Sequence, residues 1–412
     1  MSTQPNAPVE MPPPQPEAAP LNFVNVLRTM LAVSDKVSDL IFSPGRPPQV
    51  ELSGKLQPVA VAGLEKLTAG HTSAIARLIV NQQKGAAEIL EKNGAADASF
   101  SVPGFCRFRV NVFTQRGTHA IVMRVIPFRP PTFGDFDLPQ QLRHICELKT
   151  GLVLVTGPTG SGKSSTLAAV IDLINETKHY HVITIEDPIE FLHAHKNCTV
   201  HQRELHSDTP TFALALRAAL RQAPKVILVG EMRDRETIEI ALEAAETGHL
   251  VLSTLHTIDA SKTVDRIIGV FPKNEERAIR ARLANTFRYI VSQRLVPRAN
   301  GQGRIAAIEI LKATSRTKQY VEQGETEGKS LIDAMEQGEL EGMQTFDSVL
   351  EKLIREGVVD KDEALSYASN PGNLQLRLVD LNGSKPNAPA PAQAAPPPPP
   401  AREGSMLDML DR

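Results

Sequence analysis

Tryptophan is absent from the 412 residues, and aromatic side chains make up only 4 % of them. Proteins that grip single-stranded nucleic acid combine stacking aromatics with a basic groove, and a formal net charge of −2 advertises neither. Nucleic acid is therefore not expected as a partner. Cysteine is scarce too. Cys106, Cys146 and Cys198 form no CxxC pair and no plausible disulfide framework, so they read as buried thiols in a reducing compartment. Nowhere does the chain approach the roughly 20 consecutive apolar residues that a transmembrane helix requires. The acidic, proline-rich first 20 residues lack the basic start and apolar centre of a signal peptide. A cytoplasmic protein is expected.

What the chain does have is unevenly placed. Of its 31 prolines, 15 fall in the first 20 residues or between Pro386 and Pro400. Such Pro/Ala-rich stretches bury too little apolar surface to offset their ordering entropy. Residues 1–20 and 384–412 are thus expected to be disordered tails around a foldable middle. The second tail ends in Ser405-Met-Leu-Asp-Met-Leu-Asp-Arg412, read either as a docking peptide or as a frayed terminus. From Leu21, a helical pattern over Asn25 to Ala32 and period-two alternation near Asp39 to Ser43, Pro48 to Leu52, Phe105 to Phe113 and Met123 to Ile126 indicate a smaller α+β domain over 21–126. Four prolines between Pro127 and Pro139 mark 127–139 as a linker.

After Gln140 the texture changes. Four short apolar runs, Leu152 to Thr156, His181 to Ile185, Val226 to Val229 and Leu250 to Ser253, alternate with helical patterns. Buried strands separated by helices mean a mostly parallel sheet covered on both faces. Beyond about Lys312 the pattern is helical, so 140–383 is expected to be an α/β domain with a helical C-terminal part.

Ligands of such sheets bind at the carboxyl ends of the strands, where the unusual residues of this chain collect. Gly157-Pro158-Thr159-Gly160-Ser161-Gly162-Lys163-Ser164 fits GxxxxGK[ST] directly after the first run, with Ser165 continuing into a helix. Glycines let such a loop wrap phosphate; Lys163 offers a positive charge to the outer phosphates and Ser164 a hydroxyl to Mg²⁺. ATP with Mg²⁺ is the expected ligand. Hydrolysis further needs a metal ligand and a group that handles water. Glu231, just past the third run, is the first choice for either role. Glu186, Asp187 and Glu190, after the second run, could share a metal or activate water, or could be a helix cap and a solvated acidic turn. His256 follows the fourth run and could sense the γ-phosphate or a neighbouring subunit, or be structural. His249 starts that run, at the opposite edge of a simple parallel sheet. Arg107 and Arg109 share one strand face and could meet transferred phosphoryl charge from the smaller domain, or be solvated; Arg116, Arg124, Arg217 and Arg221 are the other arginines near these elements.

Together, GPTGSGKSST at 157–166, ITIEDPIEFLH at 183–193, the stretch 226–257 and GMQTFD at 342–347 resemble the twitching-motility motors of the PilT/PilU type within the secretion ATPase superfamily. The likeness runs from about Leu21 to Leu378. It implies a RecA-like P-loop NTPase domain behind a smaller, PAS-like N-terminal domain, six copies in a ring, and ATP held between the domains with arginines supplied across the site. It also implies a role in powering type IV pilus retraction from the cytoplasmic face of the inner membrane, through a platform protein; a paralogous pilus ATPase is a further candidate partner. Carried over by residue, Lys163 and Ser164 are the Walker A pair and Glu231 the Walker B glutamate; the expected metal ligands are Ser164, Glu231 and Asp187. Glu186, Asp187 and Glu190 are the Asp box, and His249 and His256 the His box.

Two departures stand out. Gln222-Ala-Pro-Lys225 replaces acidic residues usual before the Walker B strand, and Ala313 to Tyr320 stands where a retraction-associated AIRNLIRE signature is expected. The alternatives are therefore an accessory retraction ATPase or an assembly or secretion motor. The latter usually carries a paired-CxxC element after a segment like Gln293-Arg-Leu-Val-Pro297, and none follows here. A RecA-like nucleic-acid translocase is the remote alternative.

Overall fold

The computed structural model describes residues 22–379 apart from 53, 84, 103, 104, 127 and 128. The expected tails, with the peptide from Ser405 to Arg412, lie outside the described residues. Helix α1 (Phe23–Leu31) buries Phe23, Val26, Leu27 and Met30, the i, i+3, i+4 and i+7 positions of one face. Three strands follow, β1 (Val37–Phe42), β2 (Gln49–Leu52) and β3 (Lys55–Pro58), then α2 (Ala69–Val80) and α3 (Ala86–Asn93). Strands β4 (Ala95–Val102), β5 (Cys106–Gln115) and β6 (Thr118–Ile126) complete an antiparallel sheet of order β3-β2-β1-β6-β5-β4. Alternation decides its faces: Ala96, Ala98, Phe100 and Val102 of β4 and Phe108, Val110 and Val112 of β5 point into one core with α1 and α2. The intervening Ser99, Arg107 and Arg109 turn to the other side.

Residues 129–147 run across the larger lobe rather than free of it. Phe133 and Leu138, and then Leu142 and Ile145 of the 3-10 turn Gln140–Glu147, are buried in its core.

The larger lobe alternates strand and helix: β7 (Gly151–Thr156), α4 (Lys163–Thr177), β8 (His181–Glu186), β9 (Thr199–Glu204), α5 (Phe212–Ala219), β10 (Val226–Val229), α6 (Arg235–Glu246), β11 (Leu250–Leu255), α7 (Ala260–Ile268), α8 (Glu276–Thr286), β12 (Phe287–Pro297) and β13 (Arg304–Lys312). The seven strands form one sheet in the order β13-β12-β7-β11-β10-β8-β9, parallel except for the β12/β13 hairpin at one edge. All six residues of β7 are buried. Leu152 and Leu154 enter the core shared with α5 to α8, whereas Val153 and Val155 enter the core shared with α4. Each such side chain is worth about 1.5–3 kcal/mol, and burial on both faces is why these strands read as unbroken apolar runs. Five helices close the described chain: α9 (Ser315–Gln323), α10 (Leu331–Gln337), α11 (Phe346–Arg355), α12 (Lys361–Ser366) and α13 (Pro371–Arg377). The last three gather around Phe346, Leu350, Leu374 and Leu378. The molecule is an α/β protein with a smaller α+β lobe and a helical C-terminal region, the class its sequence patterns indicate.

Candidate functional site

Parallel pairing brings the carboxyl ends of β7, β11, β10 and β8 to one edge, and side-chain hydrogen bonds tie the end of β11 to that of β10. Ser253 Oγ donates to Val229 O (2.7 Å) and Thr254 Oγ1 to Gly230 O (2.6 Å), fixing the start of the segment that carries Glu231. Asp234 then caps α6, accepting from Thr237 N at 2.8 Å.

The loop between β7 and α4 wraps the edge. Gly157 has φ +145°, and a Cβ there would lie 2.5 Å from both Gln293 O and Ser161 Oγ, so only glycine fits. Gly160 and Gly162 adopt left-handed φ of +79° and +88°, yet a Cβ on either would meet nothing within 4 Å; backbone conformation and open space, rather than crowding, select glycine there. No side chain caps the first turn of α4, which leaves its N–H groups and the positive end of its dipole facing the space over the loop. Lys163, 8 % exposed, reaches back so that Nζ donates to Gly157 O (3.0 Å) and Pro158 O (2.9 Å). Burial lowers its pKa, against the pull of Glu190 and Glu231.

Over this loop lies a cleft of about 850 Å³, lined by Thr159 to Ala168, by Glu186, Asp187, Glu190, Glu231 and His256, and by Arg109 from the smaller lobe. Glu231 holds Arg233 Nε at 2.7 Å and lies 3.5 Å from His256 Nε2. The pKa of His256 is lowered by burial and then by Lys163, with Glu231 opposing. Burial raises Glu186 to about 7 although Thr184 Oγ1 (2.6 Å) and Gln202 Nε2 (3.2 Å) donate to its carboxylate.

Not every expected site residue arrives. His249 sits at the start of β11, seven residues or about 23 Å of strand from His256, with Nδ1 3.0 Å from Ala244 O; parallel topology puts it at the opposite edge. Arg107, unlike Arg109, is outside the cleft lining and paired with Glu204 at 2.7 Å. Arg124 pairs with Asp39 at 3.0 Å and Arg217 with Glu236 at 2.9 Å; neither these nor Arg116 and Arg221 lines the cleft. Gly157 and Pro158 shape the loop from behind rather than lining the cleft. Conversely, Arg233, Gln293, Arg298 and Arg304 line it unheralded. Arg233 was legible as a charge two residues past Glu231; the others come from the β12/β13 hairpin, whose place beside β7 no local pattern reveals.

The donor set fits a nucleoside triphosphate and its cation. Ser161 Oγ and Gln293 Oε1 are buried at the loop without a hydrogen-bond partner, a cost a bound ligand would relieve. Among the described residues no three His, Cys, Asp or Glu side chains are grouped to hold a metal on their own. Mg²⁺ keeps waters and substrate phosphates beside one or two protein oxygens, and the cleft offers such oxygens at Ser164, Asp187 and Glu231.

Comparisons with known proteins agree with this geometry. The family described as Type II/IV secretion system protein matches residues 75–357. The type IV pilus retraction ATPase PilT of Pseudomonas aeruginosa is 43 % identical over 348 residues, covering 84 % of this chain and 98 % of its own. A twitching motility protein of Neisseria gonorrhoeae is 42 % identical over 323 residues, 78 % of this chain and 84 % of its own. A crystal structure of the pilus retraction motor PilT with bound ADP superposes with a TM-score of 0.77 at 41 % identity, over 86 % of this chain and 99 % of that one.

Proposed function

We propose that this chain, which belongs to the Type II/IV secretion system protein family, is an ATP-hydrolysing motor that powers type IV pilus retraction and twitching motility. One observation carries the reading: a phosphate loop and uncapped helix start share a cleft with four carboxylates from the strand ends, Glu186, Asp187, Glu190 and Glu231, with Arg109 entering from the second lobe. The first-turn amides of α4 and Lys163 hold the phosphate chain. Ser164, with Glu231 or Asp187, would hold Mg²⁺, which supplies charge neutralisation at the outer phosphates. Glu231, between Arg233 and His256, orients the attacking water. Glu186, raised to about 7, suits the uptake of its proton. Arg109 faces charge developing on the transferred phosphoryl group.

The working unit proposed is a homo-hexamer in which a neighbouring subunit completes the cleft. Its domains are 21–126 and 140–383, with 127–139 between them. Among the described residues no helix is long and apolar enough to cross a membrane; the setting proposed with the motor role is the cytoplasmic face of the inner membrane, acting on a platform protein.

Lys163→Ala should abolish ATP turnover by the purified protein, and substantial residual hydrolysis would sink the site assignment. Deleting the gene separates the motor roles: excess surface pili support retraction, whereas bald cells support assembly.

A further inference from the structure

Strand β9 lies at the edge of the large sheet, next to the strand that ends in Glu186, and its last residue is Glu204, registered directly opposite Glu186. Glu204 is 3 % exposed. Its carboxylate meets three things at once. Oε2 accepts from Arg107 Nη2 of the smaller lobe at 2.7 Å and from the backbone N–H of Ile189 at 3.1 Å, and Oε1 accepts from Ser99 Oγ, also of the smaller lobe. Ile189 stands between Asp187 and Glu190, which line the cleft. Leu205 N donates to Glu186 O (2.8 Å) and Asp208 Oδ2 accepts from Glu204 N (2.8 Å), so the backbone beneath is fixed as well. A buried carboxylate deprived of its cation is strongly unfavourable, so separation of the lobes at Arg107 cannot leave Glu204 and the 187–190 loop unchanged. Arg107 Nε, meanwhile, is buried without a partner. The pair is thus not a saturated structural clamp.

We propose that Glu204 is a positioning residue that couples lobe closure to catalysis: through Arg107 and Ser99 it senses the smaller lobe, and through Ile189 N–H it sets where Asp187 and Glu190 stand in the cleft. This rests on the ATPase reading of the cleft, and it gives Arg107 a role different from that of Arg109. Arg107 acts on phosphate only through Glu204.

Two measurements on the full chain test it. In the first, hydrogen exchange of the 187–192 peptide is followed in wild type, Arg107→Ala, Arg107→Lys and Glu204→Gln, with the core strand 226–229 as control. Loss of Arg107, which is on the other lobe, should speed exchange at Ile189 on the order of tenfold, with Arg107→Lys partly restoring protection and the control unchanged. An unaltered rate in Arg107→Ala overturns the proposal. The second is ATP turnover. Arg107→Ala and Glu204→Gln should each lower kcat on the order of tenfold with KM nearly unchanged, and the double variant should fall no further. Multiplicative losses would mean that Arg107 works independently of Glu204 and would also overturn it. Wild type without turnover would defeat the ATPase reading, while the exchange experiment would still judge the coupling.

Discussion

Glu309 of β13 is 2 % exposed, accepts from Ala260 N at 2.9 Å, and stands near Asp259 and Arg294. Burial is the main reason its pKa rises to about 7 from an ordinary 4.5, with Asp259 adding to the rise and Arg294 opposing it. A carboxyl whose folded pKa lies above its unfolded value stabilises the fold fully only below the unfolded value. That contribution is lost as pH climbs through about 7, at about 1.4 kcal/mol per pH unit between the two values. Glutamine keeps an acceptor for Ala260 N–H and never ionises. Glu309→Gln should therefore be more stable than wild type at pH 8, by up to about 3 kcal/mol, with the gap closing by pH 4. Urea denaturation at both pH values checks this, and a gap independent of pH would refute it. Glu186 resembles Glu309 in its burial and raised pKa, yet it lines the cleft whereas Glu309 does not. Position, not titration, is what makes Glu186 and not Glu309 the candidate for the proposed chemistry.

The elements differ in how visible they are in the sequence, for physical reasons. Strands β7, β8, β10 and β11 are buried on both faces and show as apolar runs. The edge strand β9 buries only Val200 and Glu204, so Thr-Val-His-Gln-Arg-Glu carries no hydrophobic signature, and the support it gives through Gln202 and Glu204 was hidden with it. The phosphate loop was legible because its glycines answer to local backbone demands. That the β12/β13 hairpin delivers Gln293 beneath it was not, because this depends on a long-range crossover. Gly157 shows the two kinds of information meeting. The motif requires a glycine there, but the reason is Gln293 O, where a Cβ would come within 2.5 Å. Overlap that close with backbone forces the loop to shift, and φ of +145° strains any L side chain besides. Gly157→Ala should cost about 1–3 kcal/mol and remove nucleotide binding, seen as the loss of ATP-dependent thermal stabilisation. Gly160→Ala, which has room but a left-handed φ, should do less. Equal effects would show that crowding is not what selects Gly157.

At the scale of the whole molecule, a lobe built on a seven-stranded sheet and one built on a six-stranded sheet both line one cleft. The larger lobe supplies the phosphate loop and the carboxylates; the smaller supplies Arg109, which is exposed on β5 and faces the cleft. An exposed side chain with little packing contributes little to stability, usually within about 0.5 kcal/mol, whereas an arginine placed against developing phosphoryl charge accelerates transfer by orders of magnitude. The two roles part cleanly in Arg109→Ala. Its melting temperature without nucleotide should match wild type, its KM for ATP should change little, and its kcat should fall about tenfold or more. A variant that kept wild-type kcat would mean that the smaller lobe only covers the cleft. Since Arg107, two residues away on the same face, is held by Glu204, a loss confined to kcat in Arg109→Ala also requires that Arg107 cannot stand in for it. Supplying lysine at 109 should then recover only part of the rate, because a point charge lacks the planar fork with which arginine meets phosphate oxygens.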